Sequence, residues 1–93
     1  MGECTEATRV FRLDNKLGMH ARPASLFVKT ANRFSSDITV RADERTINGK
    51  SIIGLLTLAA AHGSTLEVRA SGEDAEEALD ALEELVSSKF GEE

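Results

Sequence analysis

Histidine, arginine and the chain's single proline stand within four residues of one another, as His20, Arg22 and Pro23, in the stretch NKLGMHARPAS. An imidazole is one of the side chains that attack as a nucleophile, and near neutral pH the ring is largely uncharged and ready to do so. A guanidinium two residues on offers a planar fork suited to phosphate or carboxylate oxygens. Proline is at home in the first turn of a helix, where a missing N–H costs little. With His20 at the N-cap and Ala21, Arg22 and Pro23 in the first turn, the ring sits over orphan backbone donors at the positive end of a helix dipole. That is a seat for an anion with a nucleophile in it. A phosphorylated ring would carry roughly two negative charges into the seat. The residues leave two readings open: His20 as the group that takes up phosphate, or His20 as an ordinary capping or surface residue. Metal binding is disfavoured, because the only other histidine is His62, beside Gly63, and no cysteine or carboxylate cluster accompanies His20.

A second candidate lies in NGKSIIG. Ser51 is placed to cap a short helix, its hydroxyl accepting from a free N–H, and that structural role would by itself account for it. A hydroxyl at a helix start with Lys50 beside it is also an electrostatically tolerant place for phosphorylation. Ile52 and Ile53 follow, and two adjacent β-branched residues in a short helix cannot both face one core, so one is expected to be exposed near the basic, histidine-bearing helix end. Lys16, Ala21, Pro23, Lys29, Lys50, Ile52, Ile53 and Leu56 form the expected docking surface for an acidic partner.

The elements that must position these residues are legible from hydrophobic periodicity. TRVFRLDN reads as a strand with Phe11 and Leu13 inward, although Arg9 on the same parity interrupts the alternation. Ala24, Phe27, Val28, Ala31 and Phe34 recur at helical spacing from Pro23 onward. DITVRA alternates as a half-buried strand, a tight turn follows, and RTING returns. KSIIGLLTLA has helical spacing with Gly54 inside it, which predicts a short, weak helix. TLEVRAS alternates again. A last helix opens with Asp74 and Glu77 in capping-box spacing and buries Ala75, Ala78, Leu79, Leu82, Leu85 and Val86, its acidic face outward. The order β-α-β-β-α-β-α, with strands wet on one face, predicts an α+β fold: an antiparallel sheet with helices on one side. Pattern alone leaves the strand order open between a ferredoxin-like arrangement and others.

Ninety-three residues suffice for one domain with a single modest core, spanning residues 1–93 with 1–7 expected to fray. Eleven basic against sixteen acidic side chains give a net charge of −5, which argues against nucleic acid as a partner. The charge is unevenly spread. From 15 to 36 no acid occurs, while Lys16, Arg22, Lys29 and Arg33 do; from Glu73 on, the charged residues are almost all acidic. No apolar run approaches the ~20 residues of a membrane span. The N-terminus lacks a hydrophobic leader segment, so a cytoplasmic location is expected. Cys4 is the lone cysteine and is read as incidental.

GMHARPA, followed in order and spacing by NGKSIIGLLTLAAAHGSTLEV and SGEDAEEAL, resembles the histidine-containing phosphocarrier (HPr) family of the bacterial phosphoenolpyruvate-dependent phosphotransferase system, from about Thr8 to Phe90. The resemblance implies an open-faced β-sandwich of strand order 1-4-2-3 with three helices on one face. It implies phosphorylation of His20 at Nδ1, with Arg22 supporting the phosphoryl group. Enzyme I would be the donor and a IIA protein the acceptor, with the chain a stoichiometric carrier rather than an enzyme, monomeric and free of cofactors. Ser51 matches the position phosphorylated by HPr kinase/phosphorylase. Leu17 stands where several sugar-branch members carry Asn or Ser. NKLGMHARPA and SSKFGEE are also similar to the nitrogen-related branch of the family.

Overall fold

A computed structural model describes residues 5–14, 18–58 and 63–91. Cys4, Lys16, Leu17 and His62 lie outside them. The elements run β1 (Thr5–Arg12), α1 (Ala21–Ala31), β2 (Asp37–Ala42), β3 (Arg45–Asn48), α2 (Ile52–Thr57), β4 (Thr65–Gly72) and α3 (Ala75–Ser87). The strands form one antiparallel sheet of order β1-β4-β2-β3. β1 begins at Thr5, opposite Gly72, inside the segment expected to fray.

The register puts one parity of every strand on a common face. Phe11 pairs with Leu66, and Ala7 with Ala70; Val40 and Ile38 then pair with Val68 and Ala70 from the other side of β4. Leu66, Val68, Ala70, Ile38, Val40 and Phe11 are buried, while the alternate residues Thr65, Glu67 and Arg69 are exposed. The helices cover the buried face. α1 contributes Pro23, Ala24, Phe27, Val28 and Ala31, and α3 contributes Ala75, Ala78, Leu79, Leu82 and Val86. Phe34 lies beyond the end of α1 and Leu85 at the rim of α3, and both are only partly buried.

Three features depart from the periodicity reading. Arg9 shares the inward parity because β1 is an edge strand under α3: its stem is covered and its guanidinium reaches Glu76 at 2.9 Å and Asp80 and Glu83 at 2.7 Å. Part of the acidic face of α3 is therefore turned toward β1. Asp74 does stand at the N-cap of α3, but it makes no capping bond to that helix. Its carboxylate instead accepts from the N–H groups of Ser35 at 2.9 Å and Ser36 at 3.0 Å, and from the Ser36 hydroxyl. The Ser36 hydroxyl, then these N–H groups, hold the Asp74 carboxyl down at about 2. Finally, after α3 the chain turns through Lys89 and Phe90 at positive φ and returns Phe90 to the core.

α1 and α2 run in opposite directions. α1 starts beyond the Arg12 end of β1 and finishes near Phe34, whose carbonyl accepts from Lys50 Nζ at 2.8 Å. α2 starts there and runs back toward the β2–β3 hairpin, where Arg45 Nη1 donates to Thr57 O at 2.7 Å.

Candidate phosphoryl-accepting site

His20 is the N-cap of α1, with extended backbone (φ −109°, ψ −166°). Gly18, at φ 68°, makes the bend that delivers it, a left-handed conformation that side-chain-bearing residues adopt at a cost. On either side, Met19, Pro23 and Ala24 are buried, so the half-buried ring is carried between anchored points. The His20 carbonyl accepts from Ala24 N–H at 2.9 Å, closing the first helical turn.

Of the four N–H groups a helix start leaves over, that of His20 donates to Gly18 O at 3.1 Å and the third helical position is Pro23, which has none. Those of Ala21 and Arg22 have no acceptor among the described residues. The imidazole makes no capping bond to them, and the first turn contains no acid. Two amides without an acceptor among the described residues and the positive end of an 11-residue helix thus adjoin the histidine, and Arg22, the second helical residue, is exposed. The arrangement suits an anion built onto the ring, with amides and Arg22 to receive its oxygens.

Pro23 was expected in the docking surface; it is fully buried, because proline at this position packs its ring against the core while fixing the helix start. Ala21, Lys29 and Arg22 are exposed. Lys29 lies in the last turn of α1, roughly 13 Å along the axis from His20.

Ser51 is the N-cap of α2, and its Oγ accepts from Gly54 N–H at 3.0 Å. Gly49 brings the chain there against β2: its N–H donates to Ile38 O at 2.7 Å, and a Cβ would lie 2.5 Å from Ile38 Cγ2. Ser51 and the two isoleucines therefore begin at the Phe34 end of α1, not beside His20 as expected. Nor is only one isoleucine exposed: Ile52 is 42% and Ile53 75% exposed, with Leu56 at 40%, because Leu55 alone points α2 into the core. The result is an apolar strip along α2. Arg45 escaped the sequence reading; its inward parity, opposite Ala42 and beyond the Val40–Ile47 pair, was the available signal.

The family model described as "PTS HPr component phosphorylation site" matches residues 7–88. The phosphocarrier protein HPr of Neisseria meningitidis is 46% identical over 78 residues, covering 84% of this chain and 88% of that one. The HPr-like protein Crh of Bacillus subtilis is 46% identical over 74 residues, covering 80% and 87%. A crystal structure of HPr from Thermoanaerobacter tengcongensis superposes with a TM-score of 0.90 at 47% identity, covering 94% of this chain and 98% of that one. A match across nearly the whole chain, agreement in strand order, and a histidine at the mouth of α1 lead to one conclusion: the chain belongs to the HPr phosphocarrier family of the phosphotransferase system.

Proposed function

We propose that the chain is a stoichiometric phosphoryl carrier in which His20 takes the group from the phosphohistidine of Enzyme I and passes it to a IIA protein of sugar uptake. The observation that carries this is the pair of amides, Ala21 and Arg22, without an acceptor among the described residues, at an N-cap imidazole that makes no capping bond. In the uptake step a ring nitrogen of His20 forms a bond to phosphorus as the donor's nitrogen–phosphorus bond breaks, its electron pair returning to the donor imidazole. The family resemblance puts the new bond at Nδ1. The amides and Arg22 stabilise the oxygens as charge builds near His20, and the partner completes the site. A half-buried seat holds the phosphoryl group without enclosing it, which suits a group that must leave again. No cofactor is called for, and a cytoplasmic carrier fits a chain whose described helices are all too short and polar to span a membrane.

Replacing His20 with Ala should abolish acid-labile labelling from phosphoenolpyruvate and Enzyme I; label retained by that variant would refute the assignment. The docking surface is the exposed strip Ile52, Ile53 and Leu56 with Ala21, Lys29 and Lys50 around it, offered to an acidic partner. Lys16 joins this set on charge alone.

A second reading is favoured by the likeness to Crh, whose solved structure is described as the Bacillus subtilis catabolite repression HPr. Phosphorylation of Ser51 by an HPr kinase/phosphorylase would add about two negative charges beside the apolar strip and make the chain a regulatory ligand. Phosphoserine survives acid and phosphohistidine does not. Acid-stable label that disappears in Ser51→Ala would support the regulatory reading, and its absence from cells on every carbon source would sink it. Transfer to purified IIA proteins of the sugar and nitrogen branches separates those two assignments.

A further inference from the structure

We infer that Arg45 is a positioning residue for partner docking: it holds the C-terminal end of α2 in place and so presents the strip Ile52, Ile53 and Leu56. The inference rests on the carrier reading for its functional consequence, but on the structure alone for the anchoring.

α2 is six residues long, and isolated helices shorter than about 12–15 residues are marginal in water. Gly54 sits within it and loosens it further. Its own last turn contains no basic residue to complement the negative end of the helix dipole or to occupy its orphan carbonyls. What fixes it comes from elsewhere. The start is tied by Ser51 Oγ to Gly54 N–H and by Ser51 N–H to Asn48 O. The middle is tied by Leu55, fully buried.

The end is tied across the chain. Thr57 O receives Arg45 Nη1 at 2.7 Å, a charge-assisted bond from a residue twelve positions earlier. The direction is set by β3: Arg45 pairs with Ala42 on the helix-covered parity, at the open edge of the sheet, so its side chain rises beside α2 rather than into solvent below the sheet. A cation from the neighbouring strand supplies what the short helix does not carry itself. Three of the four large apolar side chains that stand exposed among the described residues belong to α2, so the orientation of that one helix decides how the strip is offered.

The test combines amide hydrogen exchange of the free chain with steady-state phosphorylation by phosphoenolpyruvate and Enzyme I, comparing wild type, Arg45→Ala and Arg45→Lys. Arg45→Ala should speed exchange of the α2 amides by about two- to fivefold, the range expected for losing a cation at a helix C-terminus, with strand amides unchanged. It should raise KM for the chain by about twofold and leave kcat unchanged, since His20 is untouched. Arg45→Lys should recover most of both effects, because an ammonium can still reach the carbonyl. A raised KM with unaltered α2 exchange would mean that Arg45 contacts the partner directly and would overturn the inference, as would an Arg45→Ala chain with both quantities unchanged. If wild type takes no label at His20, the carrier reading falls, whereas the exchange data still decide whether Arg45 anchors α2.

Discussion

On the proposed carrier reading, the chemistry at His20 depends on charge held close to a developing phosphoryl group, and Arg22 is the residue assigned to supply it. Arg22 is exposed, so Arg22→Glu should leave the thermal unfolding curve nearly unchanged. It should slow transfer to and from His20 by about tenfold or more, because a carboxylate replaces a donor at the oxygens of the transferring group. Stopped-flow or quenched-flow labelling checks both arms, and unchanged kinetics would remove Arg22 from the site. Asp74 permits a prediction in pH. Its carboxyl is depressed from an ordinary 3.8 to about 2, first by the Ser36 hydroxyl and then by the Ser35 and Ser36 N–H groups. A depressed acid binds its proton more readily in the unfolded chain, so its contribution to stability is complete above the unfolded value and is lost as pH falls through about 2. Asp74→Asn should lower Tm at neutral pH and flatten the decline of Tm between about pH 4 and pH 2. Identical acid profiles for the two proteins would show that the carboxylate's bonds do not matter. The N-cap positions of His20 and Ser51 were legible in the sequence because local spacing alone sets an N-cap. The partners of Asp74 were not, since Ser35 and Ser36 stand 39 and 38 residues away.

The elements differ in how far their own residues sustain them. α1 carries a full apolar stripe and a fixed start, and its periodicity gave its position to within a few residues. α2 has one fully buried side chain, Leu55, between exposed neighbours. Leu55→Ala should therefore cost about 2–5 kcal/mol in denaturant unfolding while preserving the buried face of α3. A loss below 1 kcal/mol would mean the site collapses around the smaller side chain. Gly49→Ala should also destabilise, because the new Cβ would lie 2.5 Å from Ile38 Cγ2, part of a well-packed strand. Both changes act on the helix that bears Ser51 and the apolar strip. Sequence periodicity gave the existence of α2 but not its exposed face, because in so short a helix tertiary packing, not pattern, chooses which side turns inward.

The whole molecule is a sheet with one covered face, and an arginine stands on the covered side of each edge strand: Arg9 on β1 under α3, Arg45 on β3 beside α2. The Arg9 cluster joins an edge strand to three carboxylates that are each more than half exposed, so salt should weaken it. Raising ionic strength from 0.05 M to about 1 M should narrow the Tm gap between wild type and Arg9→Met; a gap independent of salt would show that the stem's packing, not its charge, is what Arg9 contributes. By itself the sequence determined the elements, the inward faces of the strands and of α1 and α3, and the histidine at a helix mouth. Those depend on residues three or four apart in a helix or two apart in a strand, and local sterics and burial enforce such spacings. The order of the strands came from resemblance, and the structure bears it out. Only the tertiary structure decided that Arg9 and Arg45 serve helices, that Asp74 ties the loop after α1, and that Ser51 begins at the far end of α1 from His20. Each of those depends on chain segments that meet because the sheet brings them together, and no periodicity encodes a meeting of that kind.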